Sequence, residues 1–144
     1  MKYWLQNMVA NGIFRNSPSA IIVADANGNI LDWNSSAEET FGHTADEARG
    51  HKLHLIIPPR FRDAHNAGMA RVANGGKGRV LGKIVELVAI HAEGREFPVE
   101  VSLSTYSFGN NKYFSAICRD ITDRKLADEA RTQFLSNISH DIRT

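Results

Sequence analysis

The sequence predicts an α+β domain with one antiparallel β-sheet and short helices on one face. Three observations predict it. Asn27-Gly28 lies between two β-rich runs in "SAIIVADANGNILDWN", residues 19–34, and this dipeptide accepts positive φ in a tight turn. Phe97, Val99, Val101 and Leu103 alternate with Glu96, Glu100, Ser102 and Ser104, which gives a strand one apolar and one polar face. Between these β regions lies a run of helix-cap and helix-stop signals. The order is therefore two strands, several short helices and three strands.

The elements follow in chain order. Residues 3–15 place Trp4, Leu5, Met8, Val9 and Phe14 at near-helical spacing, predicting a short amphipathic helix that stops near Gly12. The first hairpin covers 19–34. In "SSAEETFG", Ser35 or Ser36 is expected to cap a helix, with a glutamate three residues on and Gly42 at its end. "TADEARG" repeats the device with Thr44, Glu47 and Gly50. "PPRFRDAHNAGMARVANGG" opens with prolines and closes on Gly75-Gly76, predicting a helix over about 59–73. "RVLGKIVELVAIHA" (79–92) and "REFPVEVSLSTY" (95–106) read as strands joined at Gly94, and "GNN" (109–111) turns the chain into a last strand, "KYFSAICRDIT".

From Asp123 the period changes. Leu126, Ala130, Phe134, Ile138 and Ile142 recur every four residues, with Ala127 and Leu135 beside them, while Asp128, Glu129, Thr132 and His140 lie off the stripe. A lone exposed helix of this length is marginal in water. The stripe therefore needs cover, from the same helix of a second chain in a parallel coiled coil or from its own domain. The expected division is a flanking helix over 1–15, a domain over 16–122 and a helical segment over 123–144. The helical pattern runs to the last residue, as expected for a piece of a longer protein.

Composition excludes several classes. The 144 residues are 42% hydrophobic and 23% charged, as in a soluble globular protein. A net charge of +1 without a basic stripe argues against a nucleic-acid partner. A single cysteine, Cys118, excludes a disulfide framework or cysteine-cluster metal site. Apolar runs such as "AIIVA" (20–24) are too short to span a membrane, and the N-terminus lacks a secretory pattern. A cytoplasmic location with no membrane contact by this segment is expected, although a parent protein can carry an anchor elsewhere. No glycine-rich phosphate loop or Walker lysine is present, so no ATP site is expected and the segment should be inactive alone. His43, His51, His54 and His91 have no metal-ligand spacing, and Asp25 with Asp32 read as solvated hairpin carboxylates.

One ordered set of motifs resembles a known family. "NSPSAIIVADANGNILDWNSSAEETFG", "IIPPRFRDAH", "EGREFPVEVSL" and "RDITDRK" together resemble a PAS domain over about 13–122. The tail "FLSNISHDIRT" resembles the start of a histidine-kinase dimerisation helix, in which Phe134, Ser139, His140, Asp141, Ile142, Arg143 and Thr144 match the H-box. The resemblance implies a five-stranded PAS sheet, His140 as phosphoacceptor and Asp141 as the acid that orients its ring. It implies a parallel homodimer, with a kinase ATP-binding domain and a response regulator as partners in the full system. It also makes Asp120, Ile121 and Thr122 the junction that couples sheet to helix.

The pocket is less defined. His65 falls on the same helical face as Phe61, Gly68, Met69 and Val72, where a buried imidazole needs a hydrogen bond or a metal. Pro59, Arg62, His65 and Arg71 resemble the haem-ligating motif of oxygen-sensing PAS kinases, so a haem at His65 is one expectation. A core histidine bonded to a polar group is the other. The strand arginine that reaches bound oxygen in those kinases has no counterpart, since Lys83 and Val85 stand there. Trp33 can flank a flavin or fill the core. Photoreactive flavin domains need a cysteine in a helical Asn-Cys-Arg-Phe-Leu motif, whereas Cys118 lies on the last strand. The functional alternatives are thus a sensory and dimerisation segment of a histidine kinase, a PAS interaction module with an empty pocket, and a haem-based gas or redox sensor.

Overall fold

The computed structural model describes residues 2–75 and 81–143 and the side chains of 5–75 and 81–142. Gly76, the predicted strand start at 79–80, Thr144 and the side chains of Trp4 and Arg143 lie outside these. The order is α1 (Lys2–Asn16), β1 (Ala20–Asp25), β2 (Ile30–Trp33), α2 (Ser35–Phe41), α3 (Ala45–Ala48), two 3-10 turns, α4 (Arg62–Ala73), β3 (Ile84–Ile90), β4 (Glu96–Phe108), β5 (Asn111–Asp120) and α5 (Thr122–Arg143). The five strands form one antiparallel sheet in the order β2-β1-β5-β4-β3. This is the predicted α+β architecture.

Strand alternation decides which face is covered. Ala20, Ile22, Ala24, Phe97, Val99, Val101 and Cys118 point inward and are buried. The helical layer packs there: the Trp33 and Phe41 rings meet tilted at 5.4 Å, and Phe41 meets Phe97 at 5.9 Å. Such aromatic burial dominates the energetics of a small core. The register aligns Ile21, Ile117, Ser102 and Ile84 across the opposite face, where Ile117 and Ile84 are exposed.

Local signals set most boundaries, and the departures have physical causes. At Gly28 φ is +82°, as the Asn27-Gly28 turn requires, and Asp25 closes the loop by accepting from the backbone N–H groups of Asn27 and Asn29. The α1 helix runs through Gly12 to Asn16; it ends before Pro18, which disfavours helical geometry at residue 17. Asn34, not Ser35 or Ser36, caps α2: its Oδ1 accepts from Ala37 N at 3.0 Å. Ser36 instead donates to the Ser17 carbonyl at 2.5 Å. Thr44 caps α3 as expected, accepting from Glu47 N. The predicted helix over 59–73 starts with a 3-10 turn at Pro59–Phe61 and becomes α-helical only from Arg62. Among its described residues, the strand expected over 79–92 is regular over Ile84–Ile90, and Gly82 sits at φ +73° just before it.

Candidate functional site

Two regions hold the residues singled out in the sequence. The first is the face of α4. Within it, Val72 is buried, His65 and Met69 are half-buried, and Phe61 and Arg71 are exposed. Phe61 lies under the Arg60 guanidinium at 4.5 Å. Met69 packs beside Gly28, with its sulfur 3.3 Å from where a Cβ would stand, so a side chain there would crowd it. Arg62 donates to the carbonyls of Ile57 and His54 and so ties the start of α4 to the preceding turn.

His65 is the chemically unsettled member. Its ring lies 6.1 Å from that of His54, edge-on, and its Nδ1 is buried without a hydrogen-bond partner among the described residues. Burial first, then the nearby His54, holds its pKa below the ordinary imidazole value. The Asn66 side chain opposes this shift in part. His54 itself is engaged with Asn66 at 2.7 Å. A cleft of about 430 Å³ opens elsewhere, between the first hairpin, the end of α4 and the β4–β5 turn, with Asp25, Asn27, Lys112 and Tyr113 in its lining. Trp33, the other candidate pocket residue, is 2% exposed, and its Nε1 donates to the His43 carbonyl at 3.0 Å. Its indole is occupied by packing and by that bond.

The second region is the junction between β5 and α5. Asp120 Oδ1 accepts from Thr122 N at 2.9 Å and from the Thr122 hydroxyl at 2.5 Å, satisfying donors at the helix start. Ile121 is buried, and its N–H bonds the Pro98 carbonyl at 3.1 Å. The junction is thus pinned on both sides of the peptide. Arg124 pairs with Glu86 and Glu100 across the sheet.

Beyond the junction, α5 continues unbroken to Arg143. Phe134 is 64% exposed, and Leu126, Leu135, Ile138 and Ile142 are also exposed. The stripe therefore does not fold back on its own domain. The His140 ring is exposed, with Asp141 Oδ1 4.0 Å from its Nδ1.

Asn34 was missed in the sequence. It is 1% exposed and sits at the centre of the fold. Its Oδ1 accepts from Ile21 N as well as Ala37 N, and its Nδ2 donates to the carbonyls of Phe14 and Ser19. One amide thus joins the end of α1 to β1 and α2. The signal available was the turn between Trp33 and the serines; its partners, up to 20 residues away in the chain, were not readable.

This sheet, its one-sided helical layer and the pinned strand-to-helix exit define a class of protein. Residues 18–123 match the PAS domain family, and the chain belongs to it. The sequence is 25% identical over 128 residues to the sensor protein FixL of Bradyrhizobium diazoefficiens, covering 89% of this chain and 25% of that protein. It is 27% identical over 146 residues to the cell-division control histidine kinase PdhS of Brucella ovis, covering 92% of this chain and 14% of that protein. The chain therefore spans a quarter or less of the length of these relatives. Among solved structures, the PAS domain of a protein from Colwellia psychrerythraea superposes with a TM-score of 0.69 at 24% identity, covering 83% of this chain and 98% of that one. Among the described residues, no helix is long and apolar enough to cross a membrane.

Proposed function

We propose that this chain is the sensory and dimerisation segment of a histidine kinase, with a PAS domain over 16–122 and a signalling helix over 123–144. In this reading two α5 helices pair in parallel along their apolar stripes and present His140 to an ATP-bearing domain. Asp141 orients the imidazole for attack on the γ-phosphorus. The phosphorus–nitrogen bond forms as the bond to the ADP leaving group breaks, and the imidazole proton passes to a base. The carrying observation is the continuous α5, rooted at Asp120 and Thr122, with its stripe uncovered and His140 exposed. The kinase named among the relatives supports the same class.

The test is phosphorylation of the full-length protein with ATP. Acid-labile phosphate should map to His140 and disappear in His140→Gln. Label retained in that variant, or a chain that remains monomeric at high micromolar concentration, overturns the reading.

A second reading concerns the signal. The unpartnered Nδ1 of His65 favours a ligand that reaches this imidazole, by hydrogen bond or by iron. If the group is haem, His65 is the residue to hold it, with Met69 one turn along the same helix. The haem would supply reversible binding of a diatomic gas at its iron. A Soret band in the purified protein, lost in His65→Ala, supports haem; absence of the band after reconstitution with hemin removes it.

A further inference from the structure

Glu86 and Glu100 stand directly opposite each other on β3 and β4, on the outer face of the sheet. Like charges at such a cross-strand pair destabilise it. Two cations from the first turn of α5 resolve the conflict. Arg124 reaches both carboxylates, with Nη1 3.3 Å from Glu100 Oε2 and Nη2 on Glu86 Oε1. Lys125 Nζ lies 2.5 Å from Glu86 Oε2. β3 is two strands away from β5, the strand that leads into α5, so these ion pairs span about 10 Å of sheet from the helix root.

We infer that Glu86, Glu100, Arg124 and Lys125 form a charged latch that fixes the direction in which α5 leaves the sheet. All four are positioning residues, and none touches His140. The significance for signalling rests on the reading above, in which α5 carries the output; the geometry of the latch does not. Asp120 and Ile121 hold the start of the helix at a point, and a point contact leaves the tilt of a rod free. The latch adds two off-axis contacts on the edge strand and thereby sets the tilt. A displacement of β3 relative to β5 would reach the helix through the same contacts.

The energetics suit a switch. Each side chain is partly exposed, so any one pair contributes little and is screened by salt. The pairs share partners, so their effects do not add independently. The hydrogen bond from Lys125, then the charges of Lys125 and Arg124, hold the Glu86 carboxyl below its ordinary value. Its attraction is present above the unfolded pKa and fades as pH falls through the folded one.

The experiment uses this chain with spin labels at Ser104→Cys on the sheet and Gln133→Cys on α5, diluted with unlabelled chain. Cys118 is replaced by alanine in the labelled variants. The interspin distance should be narrow at low salt. It should broaden in Glu86→Gln/Glu100→Gln and in Arg124→Gln, and narrow again in Arg124→Lys. Amide exchange over 122–127 should rise about five-fold in the neutral variants, as expected for a small ion-pair network. Distances and exchange unchanged in both neutral variants, with near-ultraviolet dichroism of the core intact, overturn the latch. Failure to phosphorylate His140 would overturn the kinase reading and leave this measurement standing.

Discussion

The domain body and α5 solve the same problem in opposite ways. In the body, Trp33, Phe41 and Phe97 are each 3% exposed or less, and β1, β4 and β5 turn buried apolar residues toward the helical layer. In α5 the apolar residues are as regularly spaced, yet Phe134 and Ile142 remain 64% and 79% exposed. The body buries its aromatic core within one chain. The helix has spacing without cover, so its stability depends on packing that the body does not supply. The difference teaches that amphipathic periodicity predicts an interface and leaves its occupant open.

The comparison can be broken hardest at the core. Trp33→Ala should lower stability by about 3–5 kcal/mol, as for large aromatic truncations, and lower the thermal midpoint accordingly. Asn34→Ala should cost about 2–3 kcal/mol, because four hydrogen bonds of a buried side chain are lost and two carbonyls and two N–H groups are left without their partner. Asn34→Asp should not rescue it, since a carboxylate cannot donate to the carbonyls of Phe14 and Ser19. Gly42→Ala should cost about 2 kcal/mol. Its φ of +83° disfavours a side chain, and a Cβ would stand 2.4 Å from the His91 ring. All four variants are read by chemical denaturation.

The same comparison predicts the reverse at α5. Phe134→Ser should leave the denaturation midpoint of the body within about 0.5 kcal/mol, as for surface sites. It should shift the chain toward monomer in sedimentation; loss of body stability instead would mean that the helix packs on its own domain. The smallest effect is on pH. Burial pushes Asp25 up, but bonds from Asn29 and Asn27 and the charge of Lys52 outweigh it and leave it below the ordinary carboxylate value. The Arg60 hydrogen bond lowers Glu96 in the same way. Stability from these groups is present above the unfolded pKa of about 4 and is lost as pH falls through the folded values. His65, whose pKa is depressed by burial, works in the same direction at mildly acid pH. Stability should therefore decline on acidification, and Asp25→Asn should flatten the acid limb.

Legibility followed the range of the interaction. The Asn27-Gly28 turn, the alternation along Glu96–Leu103, the Thr44 cap and the α5 stripe were all readable, because each is set within a few residues of backbone geometry. At the candidate site, Asp120 and Thr122 were singled out only through the family resemblance. The competition among Asn34, Ser35 and Ser36 for the α2 cap was not readable, because Asn34 also answers to Ile21, Phe14 and Ser19. Nor was the partner of Arg124, which lies 38 residues upstream at Glu86.

By itself the sequence determined most element types, the alternation along β4 and an apolar stripe on the last helix, since periodicity and turn chemistry act locally. Only the tertiary structure decided that Trp33 fills the core, that one asparagine ties α1 to the sheet and that two glutamates pair with the first turn of α5. Those roles depend on which strands become neighbours, and strand order brings together side chains that no local pattern relates.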